Sequence, residues 1–347
     1  MAIIKKFFKF LRNVMIFIIV QAFVFITYDA AMVFYGPFEN TKEMLVTTAM
    51  TTLKHQYLVK MFLSEKEIDR IMEKNKIVSA GKYSDTSAIA VSNFTNTDSD
   101  QNDSDNQNKS SNNYAAKASD PGTINLVDIS NGKYKGYLLL ISNPARVKIG
   151  TTDKLGTYGM KLEDIVKKYD ATAAINAGGF VDTDGMGNGG TATGVVMENG
   201  NILCGKEGEK YLTIGFDENS AFVLGEFTIE EMKERKIRDA VSFDPFIIVN
   251  GEPQIESGNV GWGLAPRTAI GQKKDGTVVF LVIDGRQLGS VGATLAEVQD
   301  ILLKNDVYNA ANLDGGSSTQ LIYENKTINH PCSSAGPRYI PTAFIVK

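Results

Sequence analysis

The sequence predicts an α+β protein: a strand-rich domain with a mixed sheet and a few packing helices, preceded by one transmembrane helix and a short helical stalk. Three observations carry that prediction. An uncharged apolar run lies near the start, a long Asn/Asp/Ser-rich stretch contains almost no apolar side chain, and the remainder alternates short apolar runs with turn residues. The 347 residues are 43% hydrophobic and 22% charged, with a net charge of -4. That is globular composition, and its mildly acidic balance argues against a nucleic-acid partner, which would call for a basic face.

Lys5, Lys6, Lys9 and Arg12 precede "VMIFIIVQAFVFITY", Val14 to Tyr28, and apolar character resumes after Asp29 as far as Tyr35. A basic tail (1–13) followed by a bilayer-length helix (14–35) reads as an uncleaved signal anchor. The basic flank stays cytoplasmic, so the expected location is the cell membrane, single-pass, with the rest of the chain extracytoplasmic. Residues 36–80 read as a helical stalk, in which Ser64 and Glu67 have capping-box spacing. Residues 81–122 read as a polar tether, since Ser92 to Asp120 carries too little apolar surface to offset its ordering entropy.

From 123 to 347 strand-like runs dominate, among them "GYLLLIS", "ATAAIN", "PFIIVNG", "RTAIGQ", "TVVFLVIDG" and "TAFIVK". Asn199-Gly200 and Asp275-Gly276 mark hairpin turns. Helical spacing is confined to Lys161–Tyr169, Thr228–Lys236 and Thr294–Asn305. Cys204 and Cys332 are too few and too far apart for a disulfide framework or a Cys-rich metal motif; they either pair or stay buried and inert.

Several resemblances to common motifs fail on their context. "GNILCGKE" (200–207) ends in Glu207 where a phosphate loop needs a hydroxyl. "GMGNGG" (185–190) is followed by a strand instead of the helix a dinucleotide site requires. "VDTDGMGNGG" lacks the spacing and closing glutamate of a calcium loop, leaving at most an irregular divalent-cation site. Thr319 replaces the second glycine of a nucleophile elbow. His330 alone cannot make a multi-histidine zinc site. No cofactor is required by anything in the sequence, and the metal ligands, if any, are unknown.

What remains is a set of strand ends that finish alike. Asn176 with Gly178 and Gly179, Asp284 with Gly285 and Arg286, and Asn312 with Asp314, Gly315 and Gly316 each follow an apolar strand, and Arg267 begins another. Each alone reads as a turn. Together they read as a pocket floor, because strands present their tips rigidly and glycine lets a ligand approach the backbone.

"AINAGGF", "PRTAIG", "VIDGR", "NLDGGSST" and "RYIPTAFIVK", in that order over Asn125 to Lys347, resemble the phosphodiester glycosidase family. That family includes the enzyme that uncovers mannose 6-phosphate and bacterial proteins labelled exopolysaccharide biosynthesis proteins. Departures lie in "NAGGF", in the one glycine fewer of "NLDGGSS", and in Asp244, where glycine is more usual. The resemblance implies an extracytoplasmic, membrane-anchored hydrolase that cleaves a sugar 1-phosphodiester in a cell-surface glycan or related polymer. It implies Asp314 as nucleophile or base with Asp284 as its partner, and Arg267 and Arg286 on the phosphate. Asn176 and Asn312 would hold sugar hydroxyls, with Gly178, Gly179, Gly315 and Gly316 lining the site and Ser317, Ser318 and Thr319 meeting phosphate or sugar. Glycosyl transfer in exopolysaccharide synthesis is the second enzymatic reading. A non-catalytic module binding wall polysaccharide, with Trp262 as platform, is the reading from a different class.

Overall fold

A computed structural model describes residues 2–52, 55–90, 122–182, 187–256, 258–333 and 336–347. The chain divides into two compact units, 1–75 and 76–347. Most of the expected tether, 91–121, lies outside the described residues.

The first unit is helical. Its opening helix, Ala2–Tyr35, includes a stretch from Lys5 to Tyr35 that is long and apolar enough to cross a membrane. Glu39–Met50, Gln56–Lys60 and Glu65–Lys74 then pack around Val46, Val59, Ile68 and Ile71. Ser64 caps the last helix by accepting from the Glu67 N–H at 3.3 Å, half of the expected box. The Glu67 carboxylate turns instead to Arg70, at 2.8 Å, and Lys42.

The second unit is α+β, as the sequence predicts. Its largest sheet has seven strands in the spatial order Ile124–Asp128, Gly136–Ile141, Val278–Ile283, Arg267–Lys273, Val307–Asn312, Phe246–Val249 and Glu252–Pro253. Two five-stranded sheets accompany it. One runs Asn201–Cys204, Val196–Glu198, Ile237–Val241, Tyr211–Asp217, Phe222–Phe227; the other runs Lys326–Thr327, Leu321–Tyr323, Ala173–Asn176, Thr342–Val346, Val147–Thr151. Every pairing among the described strands is antiparallel, where a mixed sheet was expected. Parallel neighbours need long crossovers, usually helical, and this unit has only three described α-helices, Leu162–Tyr169, Ile229–Glu234 and Leu295–Lys304.

The apolar run "VVFLVI" shows why the large sheet is stable. Val278, Phe280 and Val282 face a core shared by all three sheets, with Phe216, Phe222 and Phe344. Val279, Leu281 and Ile283 face the opposite side, where Leu295, Val298 and Leu302 of the last helix cover them. A strand buried on both faces cannot alternate apolar with polar, which accounts for the unbroken run. Thr228 and Thr294 close reciprocal caps with Glu231 and Glu297 and so fix where two of the helices begin.

Residues 76–90 belong to this unit and form a strap over it, so the stretch expected to be tether from 81 is held as far as Ala90. Ser79 Oγ accepts from Phe246 N at 2.7 Å, Ser84 exchanges hydrogen bonds with Leu224, and Ala90 N donates to Lys274 O at 2.7 Å.

Candidate active site

The strand register brings the expected ends together. Arg267 pairs with Ile283, immediately before Asp284, and Ala269 pairs with Asn312, so three neighbouring strands place these residues at one end of the large sheet. Asn176, from a different sheet, closes the corner. Its Oδ1 accepts from Thr268 Oγ1 at 2.9 Å and from Gln320 N at 3.1 Å, and its Nδ2 donates to Asp314 O. Asp314 N in turn donates to Ala177 O at 3.0 Å. Asn176 is therefore the rivet between two sheets, with its Oδ1 and one Nδ2 hydrogen given to protein groups.

Two other expected roles are also redirected by burial. Arg267 is 3% exposed, and its guanidinium donates to Ala293 O at 3.0 Å and Gly263 O at 2.6 Å. Burial pushes its pKa down to about 9, with the nearby Arg286 charge adding to the effect and Glu297 opposing it. It holds the loop that carries Trp262, which meets Phe243 edge-on at 6.0 Å. Asp284 is likewise buried. It accepts from Asn329 Nδ2 at 2.9 Å and from His330 N at 2.9 and 3.1 Å, pinning that loop with both oxygens. Burial raises its pKa, and these hydrogen bonds offset part of the rise.

The glycines have a more local reason than ligand access. A Cβ on Gly315 would stand 2.9 Å from Pro266 O, on Gly285 2.7 Å from Pro266 N, and on Gly179 2.6 Å from Thr193 Oγ1. A Cβ on Gly178 would come within 3.0 Å of Val241. Gly316 differs: its φ of +59 is left-handed, and a Cβ there would stand 3.2 Å from the Arg286 guanidinium.

Asp314 is the centre of what remains. It is half-buried, yet its Oδ2 is fully covered and has no hydrogen-bond partner. Asn312 Oδ1 and Thr319 Oγ1, on the same short segment, are also buried and unpartnered. Burial raises the Asp314 pKa to about 7, against opposing help from the Ser318 hydroxyl, Arg338 and the Gly315 N–H. Buried polar atoms are nearly always satisfied, so three buried oxygens without a protein partner within residues 312–319 single this segment out as the candidate site, to be completed by water or a ligand. A carboxyl that titrates near neutrality can both give and take a proton.

Two arginines border the segment that follows it, and of these Arg338 acts on its charge. Arg286 is exposed, has a φ of 58, and reaches Gly316 and the Cys332 sulfur. A non-glycine residue in that region is strained, and such strain gathers at functional sites. Arg338 was not singled out from the sequence. It donates to Ser317 Oγ at 3.1 Å and to Asp182 Oδ1 at 2.8 Å. Its only signal was its position at the head of "RYIPTAFIVK", which as sequence reads like the start of a strand.

Asp182, first carboxylate of the loop considered for a cation, is thus paired with arginine. Residues 183–186 of that loop lie outside the described residues, and among the described residues no three His, Cys, Asp or Glu gather as metal ligands. Cys204 and Cys332 are free thiols. A separate cavity of about 660 Å³ lies among Asn250, Lys273, Lys274, Val307 and Tyr308, at the far ends of the same strands. A seven-residue strand separates Lys273 from Arg267, about 20 Å, so that cavity shares nothing with Asp314.

The fold and this site define a phosphodiester glycosidase domain. The chain matches that family over residues 169–347 and belongs to it. It is 27% identical over 197 residues to the SPbeta prophage-derived uncharacterized protein YomE of Bacillus subtilis (strain 168), covering 54% of this chain and 29% of that protein. It is 40% identical over 68 residues to the N-acetylglucosamine-1-phosphodiester alpha-N-acetylglucosaminidases of Bos taurus and Homo sapiens, covering 20% of this chain and 13% of each. This chain thus spans under a third of the length of these relatives. The catalytic domain of the zebrafish N-acetylglucosamine-1-phosphodiester alpha-N-acetylglucosaminidase, solved as auto-inhibited by its pro-peptide, shares the fold. The TM-score is 0.57 at 19% identity, covering 67% of this chain and 85% of that one.

Proposed function

We propose that this protein hydrolyses the bond between the anomeric carbon and oxygen of a sugar 1-phosphodiester, with Asp314 as the base that activates water. The observation that carries the reading is the buried Oδ2 of Asp314, without a protein partner, on the same short segment as the likewise unpartnered oxygens of Asn312 and Thr319. The ionised carboxyl takes one proton from water, the water oxygen bonds to the anomeric carbon, and the glycosidic bond breaks. Its electron pair leaves on the phosphate monoester, which is stable as an anion and needs little acid help. Arg286 offers the cation for that charge, and a guanidinium fork suits phosphate oxygens. Raised basicity favours this role, since a carboxylate that holds its proton to about 7 is a stronger base than an ordinary one.

The remaining parts of the proposal concern place. Membership of the family supports a carbohydrate phosphodiester as substrate, and a cell-surface glycan is the polymer an external enzyme would meet. The Lys5–Tyr35 stretch supports a membrane anchor, and the basic residues before Val14 support an inside N-terminus with the enzyme outside.

The test is a panel of nucleotide sugars and other glycosyl phosphodiesters incubated with the purified full chain in heavy-oxygen water. Free sugar carrying the label, with an intact nucleoside diphosphate, is the expected outcome. Sugar 1-phosphate with a labelled nucleoside monophosphate would mean cleavage at phosphorus and would sink the reading.

A further inference from the structure

Arg338 is a cation that touches the hydroxyl segment after Asp314 directly. Its Nη1 donates to Ser317 Oγ at 3.1 Å, and its Nη2 donates to Asp182 Oδ1 at 2.8 Å and, weakly, to Gly187 O at 3.5 Å. The guanidinium carbon also lies 5.5 Å from the Phe180 ring centre, within cation–π range. Arg286 approaches the preceding residue, Gly316. Two guanidinium groups from distant parts of the chain therefore converge on one two-residue segment, and Arg338 is also close enough to act on the Asp314 charge.

The Arg338–Asp182 pair has the marks of a contact made to be exchanged. It is partly open to solvent, with the two side chains 13% and 22% exposed. It is one-legged: Asp182 Oδ1 receives Arg338, and the same oxygen also accepts from Gly187 N at 2.7 Å. A planar fork meeting a single oxygen gives up the bidentate geometry that makes arginine–oxyanion pairs strong. Contrast Arg267, buried and spent on two backbone carbonyls.

We propose that Arg338 is a phosphate-binding residue of this site, held in place by Asp182 and transferred to the phosphate of an incoming phosphodiester, where it works together with Arg286. The proposal rests on the reading of the Asp314 site as one for sugar phosphodiesters. It adds a substrate contact and a resident anion, Asp182, that competes with the substrate for it.

That competition makes the sign of one variant unusual. Inorganic phosphate binding to the full chain, followed by titration calorimetry in detergent, is the measurement, with melting monitored for each variant. Arg338→Ala should weaken phosphate at least about tenfold, the loss expected for one charged hydrogen-bonding partner. Arg338→Lys should recover part of it, since a point charge remains but the fork does not. Asp182→Asn should tighten phosphate about threefold or more, because the amide keeps the shape and removes the competing charge. A structural role for the pair predicts the opposite for Asp182→Asn, weaker binding alongside a lower melting temperature. Phosphate affinity within about twofold of wild type in Arg338→Ala, or weaker binding in Asp182→Asn, overturns the assignment. Phosphate binding that responds as described in a chain that turns over no glycosyl phosphodiester supports Arg338 and overturns the proposed reaction. Turnover with Arg338→Ala affinity unchanged overturns Arg338 alone.

Discussion

Replacing Asp314 with asparagine should make the protein more stable while removing its activity, and the size of the gain should depend on pH. The carboxyl is held at about 7 instead of its ordinary 3.8, first of all by burial. At about 1.4 kcal/mol per tenfold change in proton affinity, ionising it costs the fold at most about 4 kcal/mol. The sign follows from linkage. The folded state keeps a proton that the unfolded chain has lost, so wild-type stability falls as pH rises from about 4 to about 7 and levels off above that. Asparagine has no such proton. The advantage of Asp314→Asn over wild type should therefore grow by about 2–4 kcal/mol between pH 4 and pH 8, the lower figure allowing for screening at a half-buried side chain. Every other titrating group is common to both proteins and cancels in the difference. Trp262 is the only tryptophan and lies in the strand-rich unit, so its fluorescence during denaturant unfolding reports that unit alone. Parallel pH dependence in the two proteins would refute the claim that Asp314 is a desolvated carboxyl. A stabilised variant that keeps about a tenth or more of wild-type kcat would refute its place in the chemistry.

Other expectations follow from the same geometry. The wild-type rate should rise with pH through a limb near 7 as Asp314 ionises, and a profile that falls over that range would make the residue an acid instead of a base. Arg267→Met should lower the melting temperature, with a loss of about 1–3 kcal/mol as Ala293 O and Gly263 O lose their donor; a phosphate-specific rise in KM with unchanged melting would return Arg267 to the substrate. Asp284→Asn should destabilise by a similar amount, because an amide NH₂ would face the His330 N–H, and unchanged stability would show that the loop does not depend on it. A fragment beginning at 76 should fold, whereas one beginning at 123 should be less stable for lack of Ser79, Ser84 and Ala90; equal denaturant midpoints would show the strap to be dispensable.

The sequence by itself determined the elements whose cause is local. Apolar length placed the first helix, Thr228 and Thr294 set the starts of two others, and Asn199-Gly200 fixed a hairpin, with φ of 48 and 77 at the turn. The unbroken run "VVFLVI" was legible as a buried strand because burial on both faces leaves its mark on every residue. The convergence of the strand ends was legible too, because polar tips with glycines recur in the sequence. What each tip does was decided by tertiary structure. Asn176, Arg267 and Asp284 look alike as sequence to residues that meet a substrate, and they bind instead to Gln320, Gly263 and His330, all distant or loop-borne partners whose position only the folded chain supplies. Arg338 is the converse. Its place at the head of "RYIPTAFIVK" reads only as a strand start, and it enters the site because the loop of Asp182 and the hydroxyl of Ser317, 156 and 21 residues away, meet it in space. The titration of Asp314 belongs to the same class: a carboxyl's pKa is set by what excludes water from it, and that depends on packing between segments far apart in the chain.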